Sequence, residues 1–228
     1  MPDLILSSGF LAFSRHIGVL RAIEARSIPV DAIVGTSSGA LVGALWAAGL
    51  RADDIQQLLT GLAPWRLLRP NSQPWHGVLT TSAFLEFVRP HLPPTFADLP
   101  HPLAVGVVDA RGKHQLLTAG PLAQAVVASC AMPHVFAAVR VGQGLFADGG
   151  AADRLALGPW RQWRPGHSAI AHQVNRSAGV DLPLDLTDVT LVRTPRSGAS
   201  FRSLGDVAGQ AREAQACAER ALDGQQPR

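Results

Sequence analysis

Cysteine, lysine and long apolar runs are all scarce in this chain, and each scarcity removes a class of protein. Two cysteines in 228 residues, Cys130 and Cys217, are too few for a disulfide framework or a four-cysteine metal site, so a cytoplasmic setting is the expectation. A single lysine, Lys113, leaves arginine to carry nearly all the positive charge, and the net charge is only +3. The arginines stand singly, with a loose gathering at Arg193, Arg196 and Arg202. There is no basic block interleaved with aromatics, so nucleic acid is not an expected partner. Weak peripheral attraction to an anionic membrane surface is compatible with the charge. No stretch approaches the ~18 apolar residues of a membrane span. Met1-Pro2-Asp3 offers no basic leader before the first apolar triplet, which argues against a signal peptide. What the chain does have is apolar material. At 47% hydrophobic residues it can build the core of one domain spanning 1–228.

Short apolar runs alternate with helical spacing. Leu4–Leu6, ending at Ser7-Ser8-Gly9, reads as a strand, and Ile17, Leu20 and Ile23 fall on one face of a helix over 16–24. Val30–Val34 reads as a second strand and 40–48 as an apolar helix closed by Gly49. Strand, helix, strand, helix calls for an α/β fold with a parallel sheet and helices on its faces. Ala52–Leu62 reads as a further helix, Pro64–Pro74 as irregular, and Ser82–Val88 as a short helix stopped by Pro90. The wholly apolar Leu103–Val108 is expected as a central strand, paired through a turn at 109–112 with a return over Lys113–Thr118. Pro121–Ser129 reads as a helix. Val139–Val141 and Leu145–Ala147 lead into Asp148-Gly149-Gly150, 189–192 reads as a last strand, and 204–222 as a C-terminal helix.

The stretch that points to chemistry is Gly35-Thr36-Ser37-Ser38-Gly39, a G-x-S-x-G set between a strand and a helix. That context exposes the Ser37 hydroxyl on a sharp turn while Gly35 and Gly39 let the two arms pack closely. The Ser38 amide, at the helix N-terminus, is placed to donate to an oxyanion. A serine hydroxyl needs a base. One of the eight histidines, oriented by a carboxylate, could serve; so could Asp148, whose pKa would rise if partly desolvated. His167 and His172 follow Asp148 in the Ser, Asp, His order of an α/β hydrolase. The elbow stands too early for that fold, with room for one strand before it. Calcium-loop and zinc-ligand spacings are absent, so neither a metal nor a cofactor is expected.

Four stretches together resemble the patatin-like phospholipases: 16–24, Ile33–Ala40, Phe96–Pro100, and Ala128–Pro133 through Phe136 with Phe146–Gly150. The likeness covers about residues 3–160. It implies a three-layer α/β/α fold with a mostly parallel sheet, and a lipid acyl hydrolase with Ser37 as nucleophile and Asp148 as base. It further implies an oxyanion hole from the Gly9, Phe10 and Ser38 amides, support from Gly149 and Gly150, and a structural His16. The family's first loop is glycine-rich and carries a basic residue. Here Ser8-Gly9-Phe10-Leu11-Ala12-Phe13 keeps only Gly9, with Arg15 as the nearest substitute. A slower hydrolase or a catalytically impaired lipid-binding protein is the alternative that this departure raises. Phe10, Leu11 and Phe13 read either as an acyl-chain contact or wedge against lipid, or as packing under the sheet edge. Trp65, Trp75 and Phe84 read as core or as the lining of a lid or groove. Cys130 is expected to be an inert buried thiol.

Overall fold

The structure is a computed structural model that describes residues 1–61, 63–175 and 179–224. In chain order its elements are β1 (Asp3–Leu6), α1 (Phe13–Ala25), β2 (Ile33–Thr36), α2 (Ser38–Ala47), α3 (Ala52–Thr60), β3 (Arg69–Pro70), β4 (Leu79–Thr80) and α4 (Ser82–Val88). There follow β5 (Leu103–Asp109), β6 (His114–Leu117), α5 (Leu122–Ser129), β7 (Val139–Val141), β8 (Gly144–Asp148), α6 (Leu157–Trp163), β9 (Ala169–Val174), β10 (Val189–Thr194) and α7 (Val207–Leu222). The main sheet runs β10-β9-β1-β2-β5-β8-β7. From β10 to β5 every pairing is parallel; β6 and β8 return antiparallel to β5, and β7 pairs antiparallel with β8. β3 and β4 form a separate two-stranded ribbon.

Alternation along the strands divides the core in two. Leu4, Leu6, Ile33, Leu103, Val105, Ile170 and Val192 point to one face, where α1, α2, α3, α5 and α7 cover them. Ile5, Val34, Ala104, Ala169, Ala171 and Leu191 point to the other, where Leu155, Leu157 and Trp160 close a thinner layer. The result is the three-layer α/β/α fold with a mostly parallel sheet. α2 is buried on nearly every side, which is why its sequence is apolar all round rather than amphipathic.

The expected elements are present, with α1 beginning earlier, at Phe13, and the C-terminal helix later, at Val207. Helix α3 ends at Thr60, and Leu62, expected at its end, lies outside the described residues. Four elements escape the sequence patterns: β9, α6, and the two-residue strands β3, inside the stretch expected to be irregular, and β4. β9 carries His172 and Gln173, so it lacks an apolar run, although it lies between β1 and β10. α6 is short and interrupted by Gly158 and Pro159. Trp65 and Trp75 belong neither to the core nor to the lining of a groove; both are exposed.

The C-terminal ends of β1 and β2 come together because the two strands pair in parallel, and at Gly39 the start of α2 meets the end of β1 backbone to backbone. A Cβ added at Gly39 would lie 2.3 Å from the Leu6 carbonyl oxygen and 2.7 Å from that of Ser7. On the same helix, a Cβ at Gly43 would meet only side chains, the nearest 3.1 Å away at Ile33. Gly39→Ala is therefore expected to lower stability by about 3 kcal/mol or more. Gly43→Ala, which gains helix propensity, should stay within about 1 kcal/mol of wild type. Urea denaturation of both variants checks this; equal tolerance would refute the close-contact argument.

Candidate active site

Ser37 caps α2 at φ 54°, ψ −120°. A left-handed φ on a residue with a β-carbon costs about 1–3 kcal/mol and persists only where neighbours over-determine it. Two consecutive side chains at the end of α5 do so here. Ser129 Oγ accepts the Ser37 N–H at 2.8 Å and donates onward to the Gly106 carbonyl at 2.6 Å. Cys130 Sγ donates to the Ser37 carbonyl at 3.2 Å. The main chain of the elbow is thus gripped at its donor and its acceptor, while the Ser37 side chain faces a cavity. Ser129 gives no sequence signal of this role, because its partners are main-chain groups distant in sequence.

β8 delivers Asp148 to the same point. Its carboxylate lies on the same cavity wall as the Ser37 hydroxyl, near enough for that hydroxyl to lower its pKa, and its Oδ1 accepts the Gly150 N–H at 2.8 Å. Burial raises the Asp148 pKa to about 6. The Ser37 hydroxyl, the Gly150 N–H and the charge of Arg154 act in the opposite direction. Gly35, Gly149 and Gly150 permit the approach. A Cβ at Gly35 would meet the Gly39 carbonyl oxygen, one at Gly149 the Gly106 carbonyl, and one at Gly150 the Ser8 hydroxyl, each within 2.6 Å.

The loop after β1 brings Gly9, Phe10 and Leu11 to the cavity wall. Leu11 takes φ 47°, so the backbone keeps a left-handed turn that glycine would adopt without strain. Phe10 stacks edge-on against Phe201 at 5.1 Å, and its carbonyl accepts from Ser197 Oγ. Phe13 is buried on α1 and still reaches the cavity. Arg15 does not replace the missing loop base. It turns to α7, pairing with Glu213 at 2.5 Å and donating to the Gln210 carbonyl. The cation that holds the loop is Arg154, which is 1% exposed. Its Nη2 donates to the carbonyls of Ser8 at 3.0 Å and Val174 at 2.5 Å, and its Nη1 meets both Asp181 oxygens at 2.9 Å. Its sequence position, just past Asp-Gly-Gly, could have flagged it.

Ser38 is buried, and its hydroxyl lies 3.1 Å from His16 Nε2. His16 Nδ1 in turn lies 2.8 Å from His172 Nδ1, and His172 Nε2 lies 2.8 Å from Thr194 Oγ1. Burial holds both imidazoles neutral, with His16 lowered to about 3 and His172 lowered further by its neighbours His16 and Arg15. This network ties α1, α2, β9 and β10 together and commits both ring nitrogens of His172 away from Ser37. His167 sits beside Arg164, Asp3 and Asp31, at the opposite ends of the strands. Neither histidine of the α/β-hydrolase reading therefore reaches the serine. Among the described residues, the histidine lining the cavity is the exposed His134.

The cavity encloses about 510 Å³, of the size that takes a small ligand or part of an acyl chain. Phe10, Leu11, Phe13, Leu67, Leu68, Phe84, Met132 and Phe136 give it an apolar wall, with Ser37 and Asp148 among its few polar groups. Cys130 also lines it, only partly buried. Desolvation and the Asp148 charge raise its pKa and keep the thiol protonated. Among the described residues, Asp3, Asp31 and His167 form the one group close enough to share a metal ion, but the Arg164 guanidinium already binds both carboxylates.

The patatin-like phospholipase family matches residues 4–159 of this chain. The chain belongs to that family. An uncharacterized NTE family protein of Mycobacterium tuberculosis is 37% identical over 161 residues, which cover 68% of this patatin-like chain and 44% of the relative. The chain thus spans less than half the length of that relative. Neuropathy target esterase sws of Drosophila melanogaster is 49% identical over 54 residues, 24% of this chain and 4% of the esterase. Among solved structures, VipD from Legionella pneumophila superposes with a TM-score of 0.61 at 12% identity, covering 98% of this chain and 67% of VipD. At that identity the likeness speaks to the fold.

The raised Asp148 pKa has a stability consequence for this patatin-like domain. Folding lifts the group from 3.8 to about 6, so the folded state binds more protons within that window and stability falls as pH rises through it. Above about pH 6 the whole penalty, ~3 kcal/mol for a shift of about two units, is present. Asp148→Asn should therefore unfold at higher urea than wild type at pH 8, with the gap closing toward pH 4. A wild type more stable than the variant at pH 8 would contradict the buried, ionised carboxylate.

Proposed function

We propose that the protein is a lipid acyl hydrolase that cleaves carboxylic esters through a Ser37–Asp148 dyad. The observation that carries this reading is the placement of the Ser37 hydroxyl beside a buried carboxylate of pKa about 6, both at the wall of one apolar cavity. Asp148 accepts the Ser37 proton as Oγ attacks the ester carbonyl, and the amides of Ser38 and of Gly9–Phe10 stabilise the oxyanion. Collapse breaks the ester bond, and Asp148 returns the proton to the departing alcohol. Asp148 next deprotonates a water that attacks the acyl-serine. The fatty acid leaves, and Ser37 recovers its proton.

A pKa near 6 suits a base working around neutrality, since the carboxylate is mostly ionised there yet more basic than an ordinary aspartate. The apolar cavity favours the acyl part of a lipid ester as substrate, and relatives bearing esterase and lysophospholipase names support that class. Retention of a left-handed turn at Leu11 favours a working oxyanion loop over an impaired one. No helix among the described residues is long and apolar enough to cross a membrane, so lipid would be reached at a membrane surface. The two unpaired thiols, Cys130 and Cys217, support action in the cytoplasm.

A fluorophosphonate should label the wild-type protein on Ser37, and Ser37→Ala should abolish both labelling and hydrolysis of p-nitrophenyl butyrate. Asp148→Asn should slow hydrolysis by about 10²–10⁴-fold. Folded variants with His16, His134, His167 or His172 replaced should keep activity within about tenfold. A collapse confined to His134→Ala would give the base role to that histidine instead, and labelling that survives Ser37→Ala would end the proposal.

A further inference from the structure

We infer that the strip over residues 63–81 docks the protein onto the surface of an anionic phospholipid bilayer. The strip has two faces. Its inner residues Pro64, Leu67, Leu68 and Thr81 form part of the cavity wall. Its outer residues include Trp65, Trp75 and Val78, which are 55%, 76% and 59% exposed. The three include both tryptophans exposed among the described residues, and they stand together on the segment that walls the cavity. By contrast Phe10 and Leu11, the wedge expected from sequence, are partly buried in that wall, so contact with lipid falls to the strip.

The strip is held rigidly in place. The Leu79 N–H donates to the Val135 carbonyl and the Ala137 N–H to the Leu79 carbonyl, both at 2.9 Å. A Cβ at Gly77 would lie 2.4 Å from the Phe136 carbonyl carbon, so the turn bearing Trp75 packs directly on the 135–137 backbone. Asn71 Nδ2 closes that turn onto the carbonyls of Gln73 and Gly77. An aromatic presented on an ordered turn loses little freedom on insertion.

Charge selects the partner. Between 63 and 81 the chain has two arginines and no acidic residue; Arg69 is paired with Glu86 at 3.0 Å, and the exposed Arg66 carries the positive charge that the strip presents. The Arg66 guanidinium stacks 5.3 Å from the Trp65 ring centroid, pairing an interfacial aromatic with a cation at headgroup level. Trp with Arg on an apolar strip matches the boundary between acyl chains and anionic headgroups.

The choice of lipid as partner rests on the hydrolase reading, but binding is read without turnover. The test is co-sedimentation with vesicles of phosphatidylglycerol or of phosphatidylcholine, beside hydrolysis of soluble p-nitrophenyl butyrate. Wild type should sediment with phosphatidylglycerol vesicles. The triple variant Trp65→Ser, Trp75→Ser, Val78→Ser should bind about tenfold or more weakly while hydrolysing the soluble ester unchanged. Arg66→Gln should weaken the preference for phosphatidylglycerol. Vesicle binding without ester hydrolysis would keep the docking surface and remove the hydrolase reading. Unchanged binding by the triple variant, or no binding by wild type, would overturn the inference. So would self-association of wild type, abolished in the triple variant, in place of vesicle binding; the strip would then be an interface between copies.

Discussion

Where α2 leaves the elbow, two stretches of backbone touch with no side chain between them: Gly39 rests on the carbonyls of Leu6 and Ser7. The rest of the site depends on that contact. It sets the start of α2 beside the end of β1, so the loop after β1 and the turn at Ser37 share one cavity. It also lets Ser38 reach His16 on α1, and through His16 the sheet strands β9 and β10 are locked to the same point. The strained φ of Ser37 is then held by Ser129 and Cys130 from the far side. Removing the small residue at position 39 would separate these parts without touching any catalytic group.

The electrostatics follow from burial. Asp148 is 5% exposed, accepts the Gly150 N–H and is favoured as the anion by the neighbouring Ser37 hydroxyl, but among the described residues no cation bonds to it directly. Arg154 is near enough to lower its pKa, yet it directs its own donors to Ser8, Val174 and Asp181. A paired Arg would drive the carboxylate far below neutrality and leave a weak base. Burial, opposed first by Ser37 and Gly150 and least by Arg154, sets the Asp148 pKa at about 6, while the Arg154 guanidinium fixes the carbonyl of Ser8 ahead of the proposed oxyanion loop. The fold is less stable for carrying this carboxylate, a trade common at sites where chemistry opposes packing.

Much of this was legible in the sequence where local pattern and tertiary role agree. β2, the elbow and α2 are a strand, a G-x-S-x-G and an apolar helix, and each is specified within a few residues. Gly39 and Gly149 stand where close approach leaves no alternative to glycine. β9 was not legible: its His172 looks like a surface residue until His16 and Thr194, both distant in sequence, satisfy its nitrogens. Arg15, nearest the loop in sequence, stood out as its cation, and only the fold shows that it faces α7 while Arg154 holds the loop. Trp65 and Trp75 misled for the opposite reason, since bulk and apolarity predict core wherever nothing local demands exposure.

The claim on which the account stands is that ionisation of Asp148 governs the reactivity of Ser37. The direct measurement is the second-order rate of Ser37 phosphonylation by a fluorophosphonate as a function of pH, in wild type and in Asp148→Asn. A working dyad predicts a wild-type rate that rises with an apparent pKa of about 6 and a slow variant whose rate lacks that step. A wild-type profile without a step near pH 6, or an identical step in Asp148→Asn, would contradict it.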